Sequence, residues 1–559
     1  MIHNNLTRPC HIGILIVSIS ICAGAGRAQQ SQLGRVDFPT SGSAPAQALF
    51  LRGLAALHSF WYEEALEAFR DSTKIEPDFM MGYWGEAMAL NHPLWREQDT
   101  AAAREVIAKI KETTKLSARE RAYLDAVKLL YGEGDKRARD TAYSEAMEKI
   151  YRDYPNDLDA AAFYSLSLLG LVRPEDKGYR LQARAGAIAL DVFQKNPNHP
   201  GAAHYIIHAF DDPDHAILAL PAARRYADIA PDAHHARHMP SHIFLQLGMW
   251  PEAAASNLSA WETSDAWMRR KKLSPSVRDY HSLHWLTYVY LQQGRYSKAE
   301  ELLGLMKKTM SESTYDNKQR PNYYENNYAN MAAAFVLETE RWELAASLFS
   351  SPAPVTTTAG AAPSATGHAG HGGSNGTEGA AMTERYSNRG QALRVFVLNL
   401  AAAVQGSMKA PPTRSDVNVD SPNEAMRVIF ELEVTAVFAS MNQEHERAAA
   451  LMKEATVREE RMGPPSGPPD LIKPSHELFG EILLRAGKPE AAAEQFKIAL
   501  LRQPSRARSL LGAARAAAKM GDQRSAMSAY ARLSEQWRDA DKGLPELLEA
   551  QSFLKQARF

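Results

Sequence analysis

Small and aromatic residues recur along this chain at repeating intervals. Gly53, Phe60, Tyr62, Ala65, Phe69 and Pro77 mark positions that return far downstream as Gly480, Gly487, Ala492, Phe496, Ala499 and Pro504. Gly521, Ala526 and Tyr530 follow, with Gly521 34 residues after Gly487. Gly248, Trp250 and Ala253 match again, as do Gly294, Tyr296 and Ala299, while Trp342, Ala345 and Phe349 form a poorer copy. The sequence around them is rich in alanine and lacks the two-residue alternation of strands, so helices are expected throughout. Small residues let paired helices approach, aromatic residues fill the space between them, and proline ends the second helix. Two segments break the pattern. Residues 351–381 are low-complexity Gly, Ala, Ser and Thr and predict a flexible loop, and residues 462–475 form a Pro/Gly connector. Residues 100–195 are helical but irregular, with an insertion at Val172–Tyr179.

This pattern resembles the tetratricopeptide repeat, a helix–turn–helix unit of about 34 residues. The resemblance covers most of residues 45–545, although the family's Trp near each repeat start is missing from the matching units. It implies an all-α fold, a right-handed α-α superhelix whose concave surface binds a protein or peptide partner. The expected division is a larger superhelix over residues 45–350 and a smaller helical segment over 382–559, on either side of the loop.

Length changes little in this picture, since 559 residues exceed one compact core and suit an array. Charge removes one class of partner: the net charge of −1 and the absence of a basic tract give no reason to expect nucleic acid. The first 28 residues read as a secretory signal, with Arg8 before an apolar run from Ile12 to Ala23 and small residues around Ala25 and Ala28. Cleavage after Ala28 would deliver the chain to the periplasm or the medium, with residues 29–44 as a linker and no segment left to span a membrane. Both cysteines, Cys10 and Cys22, lie within that signal. A mature chain without thiols can hold a transition metal only through His and carboxylate.

The candidate chemistry lies between Pro200 and Trp250. His204 and His208 stand four apart, His238 and His242 stand four apart, and the second pair follows the first by 34 residues. Four residues on a helix place side chains on one face, so each pair is a two-imidazole clamp. Nine of the 18 histidines fall between His204 and His284. In the repeat frame set by Gly248 and Ala253, His204 and His238 are fifth in their units and His208 and His242 ninth. His235 is second, and Asp211 and Asp212 are twelfth and thirteenth. The next unit makes His281 second and His284 fifth. The family resemblance implies that such first-helix positions line the concave groove. Packed helices about 8–10 Å apart let neighbouring clamps share an ion. His204, His208, His238 and His242 are the expected first shell, with His235, His281, His284, Asp211 and Asp212 beside them. Imidazole and carboxylate suit a divalent transition metal such as Zn, Cu or Fe.

Other readings stay open at this stage. The groove could bind a peptide or anion without metal, or the imidazoles could be buried and satisfied by Asp211, Asp212 and Asp214. HYIIH and HMPSH have the spacing of a zinc-protease helix, but Tyr205 and Met239 stand where its Glu belongs. His58 and His92, also 34 apart, could extend the groove; His199, His215 and His234 suit helix ends; His368 and His371 fall in the low-complexity loop. No phosphate loop or GxSxG elbow is present. The motifs AHYIIHAFDDPDHA, APDAHHARHMPSHIF and YHSLHWLTYVYLQQGRY resemble an exported bacterial group of tetratricopeptide proteins with a His-rich core. Two functions follow: a scaffold for a protein or peptide, or a metal-dependent enzyme, a hydrolase with Asp211 or Asp212 as base to metal-bound water.

Overall fold

The computed structural model describes residues 32–173, 176, 178–312, 323–349, 377–412, 422–463 and 465–556. The expected signal segment and residues 351–376 of the low-complexity stretch lie outside the described residues. The architecture is the expected all-α superhelix of helix–turn–helix units. Successive helices such as Ala44–His58 with Tyr62–Ile75, and Ser475–Arg485 with Pro489–Arg502, pack as neighbouring pairs. One two-residue hairpin, Asn91–His92 against Glu97–Gln98, interrupts the helices.

The repeating Gly and Phe explain the stacking. A Cβ on Gly53 would meet the Phe69 ring at 2.8 Å, and one on Gly85 would penetrate the same ring. Gly480 and Gly512 stand in the same relation to Phe496, with 2.7 Å at Gly480. Each phenyl is thus gripped by a glycine of its own unit and a glycine of the next, which locks unit to unit. Gly248, Gly294, Gly487 and Gly521 hold φ between +68° and +76° at the turns, where a side chain would be strained. Helix starts are closed by side chains, including a capping box of Ser117 with Glu120 and the carboxylates of Asp135, Asp157 and Asp279.

Three departures from expectation position the site. The N-terminal linker is a strap: Leu33 and Phe38 are buried, and the Arg35 amide donates to Asn198 O at 2.8 Å. Phe38 packs against Phe50, Trp84 and Tyr123, which a solvated linker could not do. The array also does not divide at the low-complexity stretch. One apolar cluster runs from Leu33 to Ile482, separate smaller clusters serve the last repeats, and the last helices fold back onto the helix Tyr280–Gln292. There Ala507 N donates to Gln292 Oε1 at 2.9 Å, and Gln536 Nε2 and Trp537 Nε1 donate to Gln292 O at 2.7 and 2.9 Å. Finally, the Pro/Gly connector is packed: Pro465 O accepts from Gln246 Nε2 at 2.8 Å, and Gly467 lies flat against Trp285.

Candidate metal centre

Four short helices carry the histidines: Pro200–Ala209, His234–His238, Pro240–Gln246 and Tyr280–Gln292. The second and third are one helix interrupted at Met239, because Pro240 has no amide hydrogen to continue the ladder. The i, i+4 register survives the interruption, since His238 Nε2 and His242 Nε2 lie 3.1 Å apart.

The expected four-imidazole shell is not one site but two. His204, His208 and His235 bring one ligand atom each within 4.8 Å of one another, and so do His238, His242 and His281. Each triad is one i, i+4 pair plus the second-position histidine of the following unit. In the first, His204 Nε2 lies 3.0 Å from His208 Nε2 and 3.1 Å from His235 Nε2. Three nitrogens bound to one ion at 2.0–2.1 Å stand roughly 3.3–3.6 Å apart in tetrahedral or trigonal geometry, so small movements would seat an ion. The triads adjoin, with ring centroids 6.2 Å apart for His208 and His242 and 6.1 Å for His235 and His238.

The second ring nitrogens show what faces inward. His204 Nδ1 donates to the carbonyl of His58 at 2.8 Å, His242 Nδ1 to Asp211 Oδ2 at 2.6 Å, and His238 Nδ1 to Asn257 Oδ1 at 2.7 Å. The Asn257 amide is oriented by its own donation to Ala253 O at 2.9 Å. Carbonyl and carboxylate oxygens can only accept, so each of these three rings carries a proton on Nδ1 and, when neutral, a lone pair on Nε2. His238 Nε2 and His242 Nε2 face each other across 3.1 Å. A proton on one of them or a shared metal ion joins the two nitrogens. Burial drives the His204 pKa well below its ordinary 6.5, with His208 adding to the effect, so the ring stays neutral and ready to bind.

Aromatic side chains wall the triads. Phe60, held at φ +52°, packs its ring 4.3 Å from His204 and 5.8 Å from His235, and Trp95 approaches His235 from the hairpin. Trp285 lies 4.2 Å from His242 and 4.8 Å from His238. His204, His238 and His242 are accordingly buried in an aromatic interior, and His208 is half-buried at its edge.

The remaining expected residues fall elsewhere. Asp211 stands behind His242 as its orienting carboxylate, and Asp212 turns away to His215 Nδ1 at 2.9 Å and to the Tyr179 hydroxyl. Neither is placed as a general base. His284 joins no triad; burial pushes its pKa down to about 3, with Arg389 adding to the shift. Its ninth-position counterpart is Tyr288, which accepts from Arg506 Nη1 at 3.1 Å, so the pattern stops after two copies. His199 caps its helix by accepting from Ala202 N at 3.2 Å, whereas His215 makes no cap and His234 pairs with Asp279 at 3.1 Å.

One cluster escaped sequence reasoning. His58 Nε2 lies 2.8 Å and His199 Nε2 3.3 Å from Asp159 Oδ1, all three side chains fully buried. His58 Nδ1 is 2.9 Å from the Tyr205 hydroxyl, and Gly201 leaves room for the ring. Asp159 is held well below the carboxylate range because the hydrogen bonds from His199 and His58 outweigh its burial. These three residues also bring one ligand atom each within 4.8 Å of one another, and they stand behind His204, whose Nδ1 proton goes to the His58 carbonyl. The 34-residue spacing of His58 and His92 gave no hint of Asp159, which is distant in sequence.

Among the described residues, no helix is long and apolar enough to cross a membrane. No family model and no curated protein matches this sequence. Two similar solved structures are yeast Tom70 and the TPR domain of P58(IPK), aligned over 90% and 92% of this chain and 87% and 99% of theirs. Their identities are 11% and 12% and their TM-scores 0.27 and 0.21.

Proposed function

We propose that this chain is an exported helical-repeat protein whose array exists to hold two adjacent transition-metal ions, one in each imidazole triad. The observation that carries the reading is the pair of Nε2 atoms on His238 and His242, 3.1 Å apart, with both Nδ1 protons already committed to oxygens. A shared proton would satisfy this pair alone, whereas a shared ion also accounts for the third imidazole beside each pair. Oxygen acceptors behind metal-bound imidazoles are the usual means of fixing tautomer and raising basicity. Zn, Cu and Fe all suit imidazole donors. Protein or peptide partners, the general use of helical-repeat scaffolds, would engage surfaces other than these first-helix positions, which the histidines and aromatics fill. Hydrolysis is disfavoured because Asp211 and Asp212 are both committed to histidines.

The test is elemental analysis of tag-free chain starting at Gln29, loaded with each metal and desalted at neutral pH. Two ions per chain are expected, and one each in His204→Ala and His238→Ala, while His284→Ala keeps two. At a thousandfold excess of ion over Kd, each site stabilises the native state by about 4 kcal/mol, so chelation should lower the wild-type Tm. No stoichiometric metal and no chelator effect would overturn the reading. Amino-terminal sequencing of protein from the native host checks export: Gln29 is expected first, and retention of Cys10 or Cys22 would refute it.

A further inference from the structure

Resting on the two-site reading, we propose that the paired triads take two copper(I) ions and bind one dioxygen molecule between them as peroxide. Three observations point there: the donor class, the adjacency of the triads, and the walls around them.

The donors are six imidazoles, with no carboxylate in either triad. Two divalent ions would place four positive charges in this cage, where the neighbouring carboxylates, Asp211 behind His242 at 2.6 Å and Asp279 near His238, are already committed to imidazoles. Two copper(I) ions halve that charge and with it the cost of desolvation. Three imidazoles complete a trigonal copper(I) and leave its open face for a further ligand. Nitrogen sites rank copper above zinc among the divalent ions as well, so the site also suits the oxidised state.

Adjacency then selects a bridging ligand. An ion on Nε2 lies roughly 3 Å from the centroid of its ring, given metal–nitrogen distances of 2.0–2.1 Å. Facing rings of the two triads stand 6.2 and 6.1 Å apart between centroids, which makes the two sites immediate neighbours, to be joined by one small diatomic ligand. The walls select a neutral one. Phe60 and Trp285 press against the imidazoles at 4.3 and 4.2 Å, giving a site that favours an uncharged molecule over a hydrated ester or ion.

The step balances without a further reactant. Each copper(I) gives one electron and becomes copper(II). Dioxygen accepts the two electrons, keeps its O–O bond and becomes peroxide bridging the two ions. No proton enters while peroxide stays bound, and removal of dioxygen returns the electrons to copper.

The experiment uses full-length mature protein, stripped by chelator and titrated anaerobically with copper(I) against a copper(I)-specific chelator. Two coppers per chain are expected. Admission of air should then consume one dioxygen per two coppers, raise a near-ultraviolet charge-transfer band, and leave the paired copper(II) silent by electron paramagnetic resonance. His235→Ala and His281→Ala are the variants of choice, because both rings are half-buried and their loss leaves the i, i+4 pair of each triad in place. Each should bind one copper per chain and show no dioxygen band, and His284→Ala should match the wild type. Two coppers bound without dioxygen uptake, or two zinc ions bound with no competitive copper(I), would overturn this inference and leave the two-site reading standing. Absence of any bound metal would overturn both.

Discussion

At the scale of single residues, the positions that matter most are those behind the imidazoles. Asp211 accepts the His242 Nδ1 proton at 2.6 Å and thereby aims Nε2 at His238. Asp211→Asn keeps the shape and loses the charge, so metal affinity of the second triad should fall 10- to 100-fold while the first changes little, as competition against a chromogenic chelator would read. Glu477 offers a second residue-scale test. Burial alone would raise its pKa, but Arg506 and Lys473 hold it down at about 2, against an ordinary 4.5. A depressed carboxylate stabilises the fold above its unfolded pKa and loses that contribution as pH falls toward the folded value. Glu477→Gln removes one of two carboxylates paired with Arg506, Glu338 being the other, and should cost about 1–3 kcal/mol near neutrality. The gap between wild-type and variant melting temperatures should close as pH drops from 4.5 toward 2.

At the scale of elements, the glycine–phenylalanine lock gives a direct check on the stacking of units. Gly512→Ala drives a methyl into the Phe496 ring and should cost about 1–3 kcal/mol in chemical denaturation. Gly304→Ala, with no heavy atom within 4 Å of its Cβ, should instead stabilise its helix by about 0.4–1 kcal/mol. Gly53 and Gly480 were legible in the sequence because an intimate helix contact permits so few residue types, whereas Gly85 and Gly512, which meet the same rings from the next unit, were not. The two i, i+4 pairs were equally legible, since four residues on a helix fix a shared face whatever surrounds it. The partition into two triads was not. It depends on how far His235 and His281 reach back toward the preceding unit, which is set by interhelical rotation and not by spacing along one helix. Asp159 and Asn257 were hidden for the same reason: each meets its histidine from another helix. Phe60 and Trp285 read as ordinary core aromatics, and nothing in their spacing marks them as walls of a cage.

At the scale of the whole molecule, one core joins residues on both sides of the low-complexity stretch, and Arg506 ties the C-terminal segment to Tyr288 and Glu338. Opening the chain at an engineered protease site between residues 349 and 377 should leave the two pieces associated through gel filtration. They should unfold in a single calorimetric transition; separate transitions would show that the shared core contributes little. The N-terminal strap belongs to this scale too. Phe38 fills a space between Phe50, Trp84 and Tyr123, and Phe38→Ala should cost about 3–5 kcal/mol, whereas a dispensable linker would show no effect.

The borrowing of a third imidazole from the following unit also fixes an order of assembly. A chain emerging from its N-terminus presents every ligand of the first triad once residue 235 is out, and those of the second only at residue 281. The helix that carries His281 then waits further, because the groups that close its end, Ala507 and Trp537, come more than two hundred residues later. On the two-site proposal the second ion would be a late arrival. Its presence would then report that the whole chain had been made and had closed on itself.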